Sequence, residues 1–486
     1  MTLLLLFIFG GKLMAQTGME VTQDLLFDYS ANLKYTLVKA PTATEPGKAL
    51  LAGQCTEKEL TGIVVPASVK IAEGTSLVGT SEKYANSYSF TQGYSIVGID
   101  NHAFHGNTAL SSVDLSAITL GSIGDYAFQG CTALAEVKFG SKASDDCSIG
   151  MYAFGNSGLT SLTLPEGVKT IGKNAFDGCS NLATLKMPST VETIGDYAFQ
   201  SCGLTGELSL KDCSALKSLG SSCFIWCKSI TSVVLPAHKF GLGSSCFYEC
   251  EKLSTAENVP CLPANCFTRC TGLQRVSVLP GAEIKTIGSR CFSGCANLES
   301  VSDVPSVETL EDGCFWKCAK LTSLAFLGDK LKVVESYCFK DCTGITSFDI
   351  PATVETLGGL CFGDCTNLAA LKFLGNNVKT MGSSCFRGTS VANDIVLPSS
   401  LETLGDGTSQ GGGEVFRYDG NNAECKDVTI PASVSHIGTL YLTTKEASFR
   451  FLGMTPPALL DGAKVSDKWT FTVPEGAVDA YKTAFP

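Results

Sequence analysis

The stretch Leu159-Thr160-Ser161-Leu162-Thr163-Leu164-Pro165-Glu166-Gly167-Val168-Lys169-Thr170-Ile171-Gly172-Lys173-Asn174-Ala175-Phe176-Asp177-Gly178-Cys179 decides the fold. Leu162 and Leu164 alternate with Ser161 and Thr163, the two-residue period of a strand with one buried face. Pro165 has no amide hydrogen to donate and ends that strand. Val168 and Ile171 supply a second inward ridge, and Gly172 is expected to allow a backbone turn that larger residues resist. Ala175, Phe176 and Cys179 then point one small, one large and one small group into the coil. Neither ridge can bury its face alone, so the unit requires a neighbour on each side.

The sequence supplies those neighbours. Phe199, preceded by Ile194-Gly195 and followed by Cys202, repeats the Phe176 arrangement 23 residues on, and the same slot holds Phe104, Phe128, Phe154, Phe224, Phe247, Phe267, Phe292, Phe315, Phe339, Phe362 and Phe386. Repetition at such a period is the signature of a solenoid, here of leucine-rich repeats. Turns stacked about 4.8 Å apart share one continuous core, and about fourteen of them would form a rod or gentle arc roughly 65 to 70 Å long. The fold expected is mainly β, with turns of about 23 residues and short helical turns.

The unit Leu-x-x-Leu-x-Leu-Pro-x-x-Val-x-x-Ile-Gly-x-x-Ala-Phe-x-x-Cys closely resembles the BspA-like leucine-rich repeat proteins, over about residues 96 to 440. That resemblance implies exported or surface proteins, some of which are adhesins for host matrix proteins or other microbes. The repeat chemistry itself implies only a solenoid.

Outside the repeats, Leu3 to Phe9 is a short apolar run, and Ala15 offers a small-residue cleavage site, so residues 1–15 read as a signal peptide. The strand-like runs Leu33 to Val38 and Gly62 to Pro66 make 17–95 a β-rich cap over the first apolar turn. The solenoid is read as 96–448, with a Gly-rich projecting insert at about 406–425. Residues 449–486 read as a small C-terminal cap whose stretch Thr470 to Tyr481 resembles the family's terminal strand and short helix.

The 486 residues include 47 acidic and 36 basic side chains, a net charge of −11 that opposes binding to nucleic acid or anionic lipid. No segment has the roughly 18 consecutive apolar residues of a membrane span. Only 4 His are present, and no Ser/His/Asp set or phosphate-cradling loop occurs in a suitable context, so no enzyme, cofactor or metal is expected. His102 and His105 occupy variable positions beside a Phe slot.

The 23 Cys require their own reading. Seven turns carry Cys-Phe-x-x-Cys, from Cys223/Cys227 to Cys361/Cys365, each pair at the same place on a new turn rather than converging on one centre as zinc ligands do. Equivalent slots hold Ala127, Ala153, Ala175 and Ala198 at the first position, and Asn107, Ser157 or Thr389 at the second. The slots therefore select small size, and most thiols are expected to be buried and free, with cross-turn disulfides as the alternative. Cys55, Cys147, Cys213, Cys261 and Cys425 lie outside both slots and are better placed for an isolated disulfide.

If the protein binds a partner, the stacked first strands are the natural surface, because every turn repeats about two outward side chains there. Glu136, Lys138, Arg275, Asp349, Lys372 and Asp394 are its candidate ligand-binding residues, on a ladder that includes Ser323 and lacks Tyr, Trp and further Arg. Trp226 and Trp316 sit beside Phe slots, where packing against a neighbouring turn is the simpler role. The reading is an exported or surface scaffold that binds a protein of the host matrix or of another microbe. Glycan or nutrient capture is the alternative, which aromatic platforms on one face would favour.

Overall fold

The computed structural model describes residues 19–22, 25–28, 33–39, 47–54, 60–69, 76–78, 94–391, 395–405, 427–438, 448–460 and 470–485. Residues 1–15, the Gly-rich insert, Asp394, Cys55 and Cys425 lie outside them.

The chain winds as a solenoid in which each turn contributes to three faces. On the first, strands such as Ser161–Thr163 and Thr184–Lys186 pair in parallel with Leu162 opposite Leu185. On the second, the Ile-Gly segments pair in parallel, Ile171 opposite Ile194 and then Leu219. One sheet on this face runs to Gly241–Leu242 and an eight-stranded one extends from Thr286–Ile287 to Ala458–Leu459.

The third face is built from tight turns around the Phe slots. Each Phe amide donates to the carbonyl of the residue before the next Phe, as in Phe176 to Ala198 at 2.8 Å and Phe292 to Cys314 at 2.8 Å. From Phe104 to Phe386 the rings stack nearly parallel with centroids 5.0–5.8 Å apart. Offset stacking adds about 0.5–1.5 kcal/mol per pair beyond the area buried.

The two small slots face different parts of the preceding turn, and first-slot Cys338 donates to the Glu311 carbonyl at 3.3 Å. First-slot residues such as Ala175 and Cys291 are buried and hold the backbone of the tight turn close to its neighbour. Second-slot thiols donate to the Phe carbonyl one turn back: Cys131 to Phe104 at 3.1 Å, Cys202 to Phe176 at 3.2 Å, Cys342 to Phe315 at 3.0 Å. The polar occupants of this slot bond elsewhere: Asn107 donates to Gln54 Oε1, Ser157 lies 3.3 Å from the Cys179 sulfur, and Thr389 donates to the Phe386 carbonyl of its own turn.

Gly172 has a reason other than the one its sequence suggested. It does not adopt a left-handed conformation; instead a Cβ there would lie 2.8 Å from the Gly150 carbonyl carbon and 2.9 Å from the Ile149 oxygen. Close approach of neighbouring backbones fixes that slot. The left-handed residues flank the Phe slot two positions before and after it, as at Asn174 (φ 56°) and Gly178 (φ 72°).

At the N-terminal end the antiparallel strands Met19–Thr22, Leu25–Asp28, Leu33–Lys39 and Gly47–Gln54 continue the second face, with Gly47–Gln54 parallel to Tyr94–Ile99. Gly62–Val64 joins the first face by pairing with Ser112–Leu115. At the other end Thr470–Thr472 pairs with Ser448–Phe451, and the helix Val478–Ala484 places Tyr481 against Phe451.

Candidate functional site

Within each sheet of the first face the outward residues of successive turns lie side by side, because the strands pair in parallel. Glu136, Lys138, Arg275, Asp349 and Lys372 are all exposed on it. Lys138 faces Asp114 across one turn and pairs with it at 3.2 Å. The Ser116 hydroxyl and amide, with Lys138 alongside, hold the Asp114 carboxyl below its ordinary range. Asp349 and Lys372 are register partners on Ser347–Ile350 and Ala370–Phe373. Arg275 lies between Thr255 and Ser300, several turns from either pair. The candidates therefore occupy three separate places along the face and do not converge.

Two features of this face differ from the sequence reading. Ser323 is not on a strand: the turn that should continue the ladder forms the 3-10 segment Ala325–Leu327. Arg450 belongs to the ladder, opposite Thr429, and was missed because the Phe pattern had already ended before its strand.

The interruption at Ala325–Leu327 has a local cause. The bond from the Val304 amide to the Phe326 carbonyl, 2.8 Å, repeats the bond from Leu164 to Lys186, so Phe326 stands where Lys186 faces solvent. An aromatic ring in an outward slot exposes apolar area, and the chain instead turns Phe326 inward against Phe315, with centroids 5.8 Å apart. Gly328, at φ 69°, allows the exit from that turn. The recessed segment leaves a groove of about 780 Å³ between itself and Ser347–Thr353, and Asp349 lies on its rim.

Three of the remaining candidates contact neighbouring turns. The His102 ring stacks on Tyr126 at 4.9 Å, and His105 Nε2 lies 3.1 Å from Gln129 Oε1. Trp316 donates from Nε1 to Asp341 Oδ2 at 2.9 Å, one turn on, whereas Trp226 remains 41% exposed. Among the described residues no group of three or more His, Cys, Asp or Glu is arranged to hold a metal ion. The described cysteines, Cys147, Cys213 and Cys261 among them, are free. Burial pushes the Cys131, Cys147 and Cys365 thiols up to about 12 and Cys213 to about 11, which suppresses the nucleophilic thiolate. No helix among the described residues is long and apolar enough to cross a membrane.

Comparison with protein families matches the BspA type leucine rich repeat region in six copies, over residues 56–147, 97–212, 147–273, 217–343 and 308–442. Comparison with curated proteins finds no match. Among solved structures, the chain is similar to a leucine-rich repeat protein from Bacteroides ovatus at 20% identity, covering 76% of this chain and 92% of that one with a TM-score of 0.37. It is similar to the pneumococcal vaccine antigen PcpA at 15% identity, 97% of each chain and a TM-score of 0.44. A leucine rich cell surface protein from Faecalibacterium prausnitzii matches at 19% identity, over 71% of this chain and 93% of that one, with a TM-score of 0.38.

Proposed function

Because the chain belongs to the BspA-type leucine-rich repeat family, we propose that it is an exported, non-enzymatic scaffold that adheres to a protein of the host matrix or of another microbial surface. The observation that carries this reading is the first face itself, where parallel strands expose Glu136, Lys138, Arg275, Asp349, Lys372 and Arg450 at intervals over many turns. Such a surface suits an extended macromolecular partner better than a small molecule. The strands before Tyr94 and the segment Thr470 to Phe485 act as caps that keep the apolar ends from open stacking. The apolar run at Leu3 to Phe9 supports export.

The test is binding of the purified protein to immobilised matrix proteins and, in parallel, to a glycan array. Matrix-protein binding that falls at least tenfold when Asp349 and Lys372 are both changed to Ala supports the adhesive reading. Binding to glycans alone would replace it with carbohydrate capture. Amino-terminal sequencing of secreted protein should begin at Gln16; retention of the intact chain inside the cell would refute export.

A further inference from the structure

The groove beside Ala325–Leu327 exposes an open strand edge. In a parallel ladder alternate residues bond to the two neighbouring strands. The carbonyls of Thr346 and Ile350 accept from Ala369, Ala370 and Leu374 of the following turn. The intervening residues Ser347 and Asp349 therefore direct their backbone groups toward the preceding turn. That turn has left the strand conformation: Ser347–Ile350 pairs only with Ala370–Phe373, and no hydrogen bond from residues 322–327 reaches Ser347 or Asp349.

We propose that this groove docks an extended segment of a partner protein, with alternating apolar and basic side chains, which bonds through its backbone to the edge formed by Ser347 and Asp349. The inference rests on the reading of the chain as a protein-binding scaffold and names where and how it binds. Unpaired amides and carbonyls along an edge are matched by another extended backbone. The floor is apolar, with Leu324, Leu327 and Phe348 all buried, and suits the alternate side chains that point inward. The rim carries Asp329 and Asp349, and no Lys or Arg lines the groove, so the outward side chains of the segment are basic. At about 780 Å³ the groove lies within the range of ligand pockets, roughly 300–1,000 Å³. The open edge spans one short strand, too little for a globular subunit, whose stable interface buries about 800 Å² per partner.

The test uses the full chain and a fluorescent seven-residue peptide of alternating Lys and Val, blocked at both ends. A second peptide carries N-methyl groups on the amides of one edge, and a third has Glu in place of Lys. Binding is followed by fluorescence anisotropy, and amide hydrogen exchange reports on Ser347 and Asp349. The expected results are at least tenfold weaker binding of the N-methylated and Glu peptides, and at least tenfold slower exchange of both amides when the Lys peptide is bound.

Ser347→Pro removes one edge amide at a strand start, where proline is tolerated, and should weaken binding as N-methylation does. Asp349→Asn keeps the backbone and should weaken only the charge-dependent part, so that the N-methyl effect persists; it carries the test if Ser347→Pro fails to fold. Equal binding of the methylated and unmethylated peptides, no binding up to about 1 mM, or exchange protection elsewhere would overturn the proposal. Protection of the same amides in a self-associated form without peptide would also overturn it, in favour of a second copy of the chain. Matrix-protein binding that survives Ser347→Pro refutes this site and leaves the adhesive reading intact. Absence of matrix binding by the unaltered protein refutes the adhesive reading while the peptide titration still decides the groove.

Discussion

The Cys295 thiol donates to the Phe267 carbonyl, 3.0 Å away and one full turn earlier. Four residues before it in the chain, Cys291 is equally buried, and its thiol lies against the Cys266 and Phe267 backbone of the preceding turn. Two identical side chains in one turn thus each combine a volume with a contact to the backbone of the preceding turn, and the Cys295 thiol makes the defined hydrogen bond.

Truncating them should separate the two. Cys291→Ala is expected to cost about 1 kcal/mol for the lost volume. Cys295→Ala should cost about 1–2 kcal/mol, because the Phe267 carbonyl also loses one of its two donors and keeps the Cys270 amide at 3.0 Å. Cys295→Ser should recover part of that loss. Urea unfolding midpoints of the three variants check the order; equal costs for the two alanine variants would show that only volume matters.

Phe292 stands between Phe267 and Phe315, with centroids 5.6 and 5.2 Å away. Phe292→Ala should destabilise by about 3–5 kcal/mol, and Phe292→Leu by less. Because each turn contacts only its neighbours, the loss should be seen first as faster amide exchange in the adjacent turns.

The glycines divide in a testable way. Gly195→Ala places a Cβ 2.7 Å from the Lys173 amide nitrogen and 2.8 Å from the Gly172 carbonyl carbon, an overlap expected to cost about 1–3 kcal/mol. Gly106, at φ 72°, has nothing within 4 Å of its added Cβ. Gly106→Asn should be nearly neutral, since Asn156 already adopts φ 55° at the equivalent place. Thermal melting distinguishes the two substitutions.

The buried thiols make stability depend on alkaline pH. Burial raises Cys131, Cys147 and Cys365 from an ordinary 9.0 to about 12 in the folded protein. The stability they contribute is complete below pH 9 and is lost as the pH rises from 9 toward 12, because the unfolded chain releases these protons first. Urea midpoints should therefore fall steadily between pH 9 and 11. At pH 8 a thiol reagent should label most cysteines only after denaturation and without prior reduction; few reactive groups in the denatured chain would indicate disulfides.

The repeat period, the inward Phe and the paired small slots were legible because each is a local regularity enforced many times over. Three points were not. The donor role of the second-slot thiols depends on a carbonyl one turn away. The cause of glycine at Gly172 is the backbone of the preceding turn rather than its own torsion angles. Arg450 was overlooked because its strand outlasts the Phe column used to set the register.

The candidate surface divides along the same line. Alternation in sequence determines which side chains face outward, so Lys138, Arg275 and Asp349 could be placed on one face from spacing alone. Phe326 breaks that alternation by rolling inward, a choice driven by the packing available against Phe315 in a stacked core. Periodicity by itself determined the solenoid; only the stacked turns decided which strand edge stays open, because a hydrogen bond between turns depends on the conformation of residues more than twenty positions apart.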